Sequence, residues 1–251
     1  MRADPLHLHE TSQSTADARA SNERSTPRHV AVILDGNRRW AAAHGKSLAE
    51  AYQLGAARVA QLVQWCEDMG ISYATVWALS QDNLRRHSEQ VTVVLDAVTA
   101  GLRTITSTRP TPIRLIGALD QLPAPHETRL RAIEAEAAGA PGTLLTVALA
   151  YSGRHDIVQA VRALARHQAD AGLDDAAHTE QLLGRYLSTA GQPDIDLVIR
   201  TSGEQRLSGF MLWQTAHAEL YFTSTTWPDF SRADFQQALH WYAHRQRRCG
   251  R

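Results

Sequence analysis

His29-Val-Ala-Val-Ile-Leu-Asp35-Gly-Asn-Arg-Arg-Trp40 is the stretch that decides the fold. Residues 29–33 are mostly apolar and β-branched, as in a short strand buried on both faces. Asp-Gly-Asn cannot continue the strand, and two arginines and a helix-forming Ala-Ala-Ala follow. A carboxylate, a permissive glycine and guanidinium groups at the carboxyl end of a buried strand can hold an anionic, metal-bound group. The same residues also fit a strand-turn-helix with a structural N-cap and solvated arginines.

Working outward, 251 residues suit one sizeable domain with a full core. Lys+Arg and Asp+Glu number 26 each, so no global field favours nucleic acid or an anionic membrane. Any anion site must be a local cluster. Cys66 and Cys249 stand far apart without metal-ligand spacing, as reduced structural thiols of a cytoplasmic protein do. No apolar run approaches the roughly 18 residues of a membrane span, which leaves at most peripheral membrane contact. Nothing resembles a signal-peptide core. The twelve histidines form no spaced metal set.

Residues 1–28 lack any hydrophobic period and read as a disordered tail, with 29–251 as one domain. Strands are expected at 29–33, 73–79, 113–116, 144–150 and 196–200, with 220–223 a sixth. Helical spacing marks 48–69, about 88–105, 126–138, 154–171, 177–189 and 231–247. The alternation predicts an α/β fold with a mostly parallel sheet of about six strands flanked by helices. In such a sheet ligands gather beyond the carboxyl ends of the strands. There the chain places Asp35-Gly-Asn-Arg-Arg-Trp40, Ser80-Gln-Asp-Asn-Leu-Arg-Arg86, Tyr151-Ser-Gly-Arg154 and Arg200-Thr-Ser-Gly-Glu-Gln-Arg206-Leu-Ser208. Four Arg-bearing junctions on one rim suit diphosphate, whose oxygens match guanidinium forks.

These motifs resemble, in order, those of the cis-prenyltransferases (the Z-isoprenyl or undecaprenyl diphosphate synthase family). His29-Val-Ala-Val-Ile-Leu-Asp-Gly-Asn-x-Arg-Trp is similar to the first signature, and Ser80-Gln-Asp-Asn83-Leu-Arg-Arg86 to the Ser-x-Glu-Asn-Trp-x-Arg segment. Residues 196–208, then Leu212-Trp-Gln and Ala218-Glu-Leu-Tyr-Phe222, are similar to the longest block; Trp227-Pro-Asp-Phe and Arg245-Gln-Arg-Arg-Cys-Gly250 complete the order. The resemblance covers everything after the tail.

It implies a homodimer that joins isopentenyl diphosphate to an allylic diphosphate with Mg²⁺, and a hydrophobic tunnel at the strand tips. Asp35 and Glu219 would be the metal contacts. Gly36, Asn37, Arg38, Arg39 and Trp40 would bind one diphosphate, and Arg200, Arg206, Leu207 and Ser208 the isopentenyl diphosphate. Ser80, Gln81, Asp82, Asn83 and Arg86 would lie over the reacting carbons. Asp35 and Asn83 match the catalytic positions. An amide is too weak a base for neutral pH, so Asn83 is read as orienting the substrate while a diphosphate oxygen or a water takes the proton. The helix at 88–105 would form a tunnel wall, with Val91, Val94, Leu95, Val98 and Leu102 on its apolar face.

Several positions depart from the long-chain pattern. Arg38 replaces a Gly, Tyr52-Gln53 a His-Lys, Leu84 a Trp, Asp82 a Glu, Ala150 an Asn and Leu48 an Arg. The Asp-Gly-Asn-Arg-Arg-Trp form resembles short-chain actinobacterial members, which implies a short Z-configured product. Two other outcomes fit the same motifs. One is irregular head-to-middle coupling or cyclisation of prenyl diphosphates. The other is a non-catalytic partner subunit, which Asp35 and Arg39 disfavour. Trp65, Trp213, Trp227 and Trp241 read as core or dimer contacts. Arg245, Arg247 and Arg248 either complement the last helix dipole or reach a neighbouring subunit's site.

Overall fold

The structure, a computed structural model, describes residues 26–171 and 179–245. Strands β1 (His29–Ile33), β2 (Tyr73–Trp77), β3 (Ile113–Ile116), β4 (Leu144–Ala148), β5 (Leu197–Arg200) and β6 (Glu219–Phe222) form one sheet in the order β3-β4-β2-β1-β5-β6. Every pairing is parallel. Helices α1 (Asn37–His44), α2 (Leu48–Asp68), α3 (Ser88–Thr108), α4 (Ala124–Glu136), α5 (Gly153–Ala171), α6 (Thr179–Tyr186) and α7 (Arg232–Ala243) accompany it. The expected α/β architecture is therefore present. No helix among the described residues is long and apolar enough to cross a membrane.

All five residues of β1 are buried, because the sheet is covered on both faces. Period-two alternation sends Val30 and Val32 into the larger core, with Leu62, Val63, Leu95 and Leu102 of α2 and α3. It sends Ala31 and Ile33 to the other face, against Tyr151, Phe210 and Met211. Helix α2 starts at a capping box: Ser47 Oγ accepts from Glu50 N at 3.2 Å, and Glu50 Oε2 accepts from Ser47 N at 2.9 Å. These bonds to the charged form hold the Glu50 carboxyl at about 2.

Several boundaries shift from the sequence reading, each for a local reason. β2 and β4 end two residues early, at Trp77 and Ala148, because Ala78 N and Leu79 N both turn to Ala148 O and Ala150 adopts φ 47°. Helix α3 continues to Thr108 and stops at Arg109, held extended before Pro110. Helix α4 begins at Ala124, with a proline in its first turn. α6 is shorter than 177–189, and α7 ends at Ala243. Of the tail, residues 1–25 lie outside the described residues. Pro27 is already buried, and Arg28 N donates to Asp196 Oδ2 at 2.7 Å, so the fold starts before 29.

His29 pins β1 to two neighbours. Its Nδ1 lies 2.9 Å from Pro193 O and its Nε2 2.8 Å from Thr75 Oγ1. These partners fit a neutral ring that donates from Nδ1 and accepts at Nε2. Burial pushes its pKa below the ordinary 6.5, against the bond to Pro193 and the charge of Asp196. The unfolded chain thus takes up the proton first as pH falls. Stability from this group is complete above pH 6.5 and is lost as pH falls through the lowered folded value, about 1.4 kcal/mol per unit of displacement. Melting temperatures measured from pH 7.5 down to 5 should fall below 6.5, and His29→Gln should flatten that slope. An equal slope in both proteins would exclude His29 as its source.

Candidate active site

β1 and β5 deliver the centre of the site. In their parallel register Ile33 faces Arg200, so Asp35, two residues beyond β1, meets the guanidinium ending β5. Arg200 Nη2 donates to Asp35 Oδ2 at 3.0 Å, Arg200 Nη1 donates to Ser208 Oγ at 2.9 Å and to the carbonyl of Arg206, and Arg200 is only 5% exposed. Thr201 Oγ1 straps the turn, accepting from Asp35 N at 3.0 Å and donating to Asp35 O at 2.7 Å. Asp35 Oδ1 accepts from Gly36 N at 2.8 Å.

Gly36 is the N-cap of α1, with φ 104° and no side-chain cap. The first-turn N–H groups of α1 therefore present the positive end of the helix dipole at the rim, rather than being closed by a structural cap. Only glycine fits there: a Cβ would lie 2.8 Å from Ser202 Oγ and 2.9 Å from Thr226 Cβ. Gly36→Ala should cost about 1–3 kcal/mol through the strained φ and the clash, and displace α1 enough to lower turnover at least about tenfold. Thermal melts and initial rates check this; wild-type values for both would show that the close approach is dispensable.

Arg39 reaches across the mouth. Its Nη1 donates to Ser202 O at 2.8 Å, and its Nη2 lies 3.4 Å from Glu204 Oε1 and 3.8 Å from Asp35 Oδ1. Glu204 also pairs with Arg206. Ser202 and Ser208 hold φ values of 75° and 52°, rare for non-glycine residues and typical of loops shaped around a ligand. On the facing wall Asn83 N donates to Ser80 O at 3.1 Å and to Ser80 Oγ at 3.2 Å.

These groups line the mouth of a cavity of ≈ 760 Å³ that descends between α2, α3 and the sheet. Of the residues expected from the sequence, Asp35, Gly36, Asn37, Arg38, Arg39, Ser80, Asn83, Arg86, Arg200, Arg206 and Ser208 line it. Five guanidinium groups against the carboxylates of Asp35 and Glu204 leave the mouth three charges positive. Deeper in, the wall is apolar, formed by Val59, Val76, Val94, Val98, Leu102 and Ile105 among others.

Five expected positions fall elsewhere. Trp40 turns outward, its Nε1 donating to Asp229 Oδ1 at 2.7 Å. Gln81 Nε2 donates to Gln121 Oε1 at 3.3 Å, and Asp82 is exposed in the short helical turn Asp82–Arg85. Leu207 packs into the core on the opposite sheet face. Glu219 opens β6 level with Leu197, roughly 15 Å down the strand direction from Asp35, and accepts from Arg245 Nε at 3.0 Å. Within one subunit it therefore does not join Asp35 at a metal. Arg245 is thus paired in its own chain; Arg247 and Arg248 lie outside the described residues. Asn37 lines the cavity, yet its amide turns inward: Nδ2 donates to Leu34 O at 3.1 Å, and Oδ1 abuts Gly55.

The structure adds residues that the sequence reading did not single out. Glu204 lies within the quoted 200–208 block, four residues after one arginine and two before another, a spacing that could have marked it. Trp227, read as core or dimer contact, is buried in the larger core, and it also lines the cavity and donates from Nε1 to Gly55 O at 2.9 Å. On α3 the wall is Val94, Ala97, Val98, Gly101, Leu102 and Ile105; Val91 and Leu95 pack in the core instead.

A family model described as putative undecaprenyl diphosphate synthase matches residues 33–250. The chain belongs to the cis-prenyltransferase family. It is 43% identical over 237 residues to a (2Z,6E)-farnesyl diphosphate synthase of Thermobifida fusca, covering 92% of this chain and 93% of that protein. It is 42% identical over 228 residues to isoprenyl transferase 1 of Streptomyces avermitilis, covering 89% of each. Among solved structures, the lavandulyl diphosphate synthase of Lavandula x intermedia, in complex with dimethylallyl diphosphate, superposes with TM-score 0.85 at 34% identity, covering 90% of this chain and 99% of that one. The sequence departures at Leu84 and Ala150 have structural counterparts in this cis-prenyltransferase: Leu84 packs on the larger core, and Ala150 takes the left-handed conformation.

Proposed function

We propose that this chain condenses isopentenyl diphosphate with an allylic diphosphate to give a short Z-configured prenyl diphosphate. The observation that carries this reading is a single cavity whose mouth gathers Asp35, an open helix N-terminus and five arginines, and whose interior is apolar. The names of the relatives support the short chain.

In the reaction the C1–O bond of the allylic diphosphate breaks and a bond forms from its C1 to C4 of isopentenyl diphosphate. A proton leaves C2 of the latter as the new double bond forms, and inorganic diphosphate departs. The α1 N–H groups, Arg38 and Arg39 hold the leaving diphosphate and stabilise the charge that grows on it. Arg200, Arg206 and Ser208 hold the second diphosphate through guanidinium forks and a hydroxyl. Asn83 and Ser80 orient the reacting carbons, and a diphosphate oxygen or a water accepts the proton.

Among the described residues no group of three or more His, Cys, Asp or Glu could hold a metal by itself. Asp35 alone, one-third exposed at the rim, fits a Mg²⁺ that takes its other ligands from phosphate oxygens and water. When bound, Mg²⁺ neutralises diphosphate charge. Val158 and Val161 on α5 and Leu212, apolar and at least 36% exposed, support a homodimer.

Purified protein should be incubated with Mg²⁺, isopentenyl diphosphate and dimethylallyl, geranyl or farnesyl diphosphate, with products sized and double bonds assigned. Linear Z products are expected. Absence of isopentenyl diphosphate consumption with every primer would overturn the reading. Likeness to a lavandulyl diphosphate synthase favours head-to-middle coupling as the second reading, and branched products would select it.

A further inference from the structure

Acidic and basic groups at the mouth form a closed ring. Asp35 Oδ1 lies 3.8 Å from Arg39 Nη2, and the same nitrogen lies 3.4 Å from Glu204 Oε1. The other oxygen of Glu204 accepts from Arg206 Nη1, the carbonyl of Arg206 accepts from Arg200 Nη1, and Arg200 Nη2 returns to Asp35 Oδ2 at 3.0 Å. The ring has a rigid half and a yielding half. Arg200 is buried and held by three acceptors, whereas the side chains of Arg39 and Arg206 are 54% and 60% exposed. Ser202 N and Gly203 N donate to Thr225 O and Thr223 O at 2.8 Å each, which fixes the backbone ahead of Glu204 and leaves motion to its side chain.

A carboxylate in a cradle for anions opposes binding: it repels the ligand and occupies the guanidinium forks that the ligand needs. Glu204 occupies two at once. Arg39 belongs to the proposed allylic diphosphate site and Arg206 to the proposed isopentenyl diphosphate site, and this one side chain spans them. We propose that Glu204 interlocks the two sites, holding Arg39 and Arg206 together until a first diphosphate displaces it and so readies the arginine of the second. A diphosphate brings two or more negative charges against one, and its oxygens match the guanidinium fork, so it takes the arginine. Oε1 and Oε2 belong to one carboxylate, and a charge seated on Arg39 repels both, which weakens the Arg206 pair as well. Two ligands that favour the same displaced state help each other, by the same factor in either order. Glu204 thereby selects paired diphosphate esters over a lone anion at either site. The inference rests on the proposed assignment of one diphosphate to each arginine.

Calorimetry without turnover tests it. Geranyl thiolodiphosphate, an unreactive allylic analogue, and isopentenyl diphosphate are titrated with Mg²⁺ into the purified protein, each alone and each with the other saturating. In the wild type either ligand should tighten the other at least fivefold, which is about 1 kcal/mol and the order expected of one exposed ion pair. Glu204→Gln should bind each ligand alone at least threefold more tightly, and its mutual effect should fall below twofold. Glu204→Asp keeps the charge but, one methylene shorter, reaches only one arginine, so it should lose the mutual effect as well. A general field of the carboxylate would instead leave that effect intact in Glu204→Asp. Wild-type coupling in either variant, or weaker binding of each ligand alone to Glu204→Gln, overturns the inference. A wild type that binds both ligands without coupling also overturns it and leaves the proposed reaction standing, whereas a protein that binds neither ligand defeats both.

Discussion

Asp35→Asn should lower turnover by about 10³-fold while the protein stays folded. The substitution keeps the shape of the side chain but removes its charge and half of its acceptor capacity. In the native turn one carboxylate oxygen accepts from Gly36 N and the other from Arg200 Nη2. Whichever way an asparagine amide is placed, its NH₂ faces one of these donors, so the anchor of the turn and the candidate magnesium ligand are weakened together. Steady-state rates at saturating substrates, beside a thermal melt, provide the test. A rate within tenfold of wild type would remove Asp35 from the chemistry.

Arg200→Leu is the second large effect, and it reads out differently. Arg200 is buried and bonds to Asp35, Ser208 and the carbonyl of Arg206. Removing it leaves Asp35 with only the more distant, exposed Arg39 at 3.8 Å as counter-charge and frees the 206–208 segment from its tether. Breaking a fully buried pair costs about 3–5 kcal/mol; because Asp35 is one-third exposed, about 2 kcal/mol is expected here. The kcat/KM for isopentenyl diphosphate should fall about 10²–10³-fold, with a smaller change in KM for the allylic partner held at α1. Arg200→Lys should rescue little, because one ammonium cannot span three acceptors in fixed directions. Equal changes in both KM values would place Arg200 outside the isopentenyl diphosphate site.

How far these features were readable from residues alone differs by element. β1 was legible to its exact ends, since a buried apolar run cut by Asp-Gly-Asn has one reading. The ends of β2 and β4 were not, because Leu79 and Leu149 are as buried as any strand residue. What ends those strands is a backbone turn to Ala148 O, invisible in composition. The diphosphate cradle was legible because its parts lie within short motifs. Trp40, Gln81 and Leu207 share those motifs yet face away, since adjacent residues point to different sides. The cavity wall on α3 was half legible: periodicity marks an apolar face, but only packing shows that Gly101 and Ala97 form part of the wall while Val91 and Leu95 do not.

The centre of the sheet carries a consequence for biosynthesis. β1 leaves the ribosome near the start of the chain, yet its partner on one side, β5, is encoded nearly four-fifths of the way along. One strand edge, with its row of unpaired backbone N–H and C=O groups between mostly apolar faces, must therefore wait through most of translation, and contacts of such long sequence separation form slowly. Nascent chains stalled before residue 197 should expose that edge and bind chaperones or aggregate, whereas chains released after β6 has emerged should not.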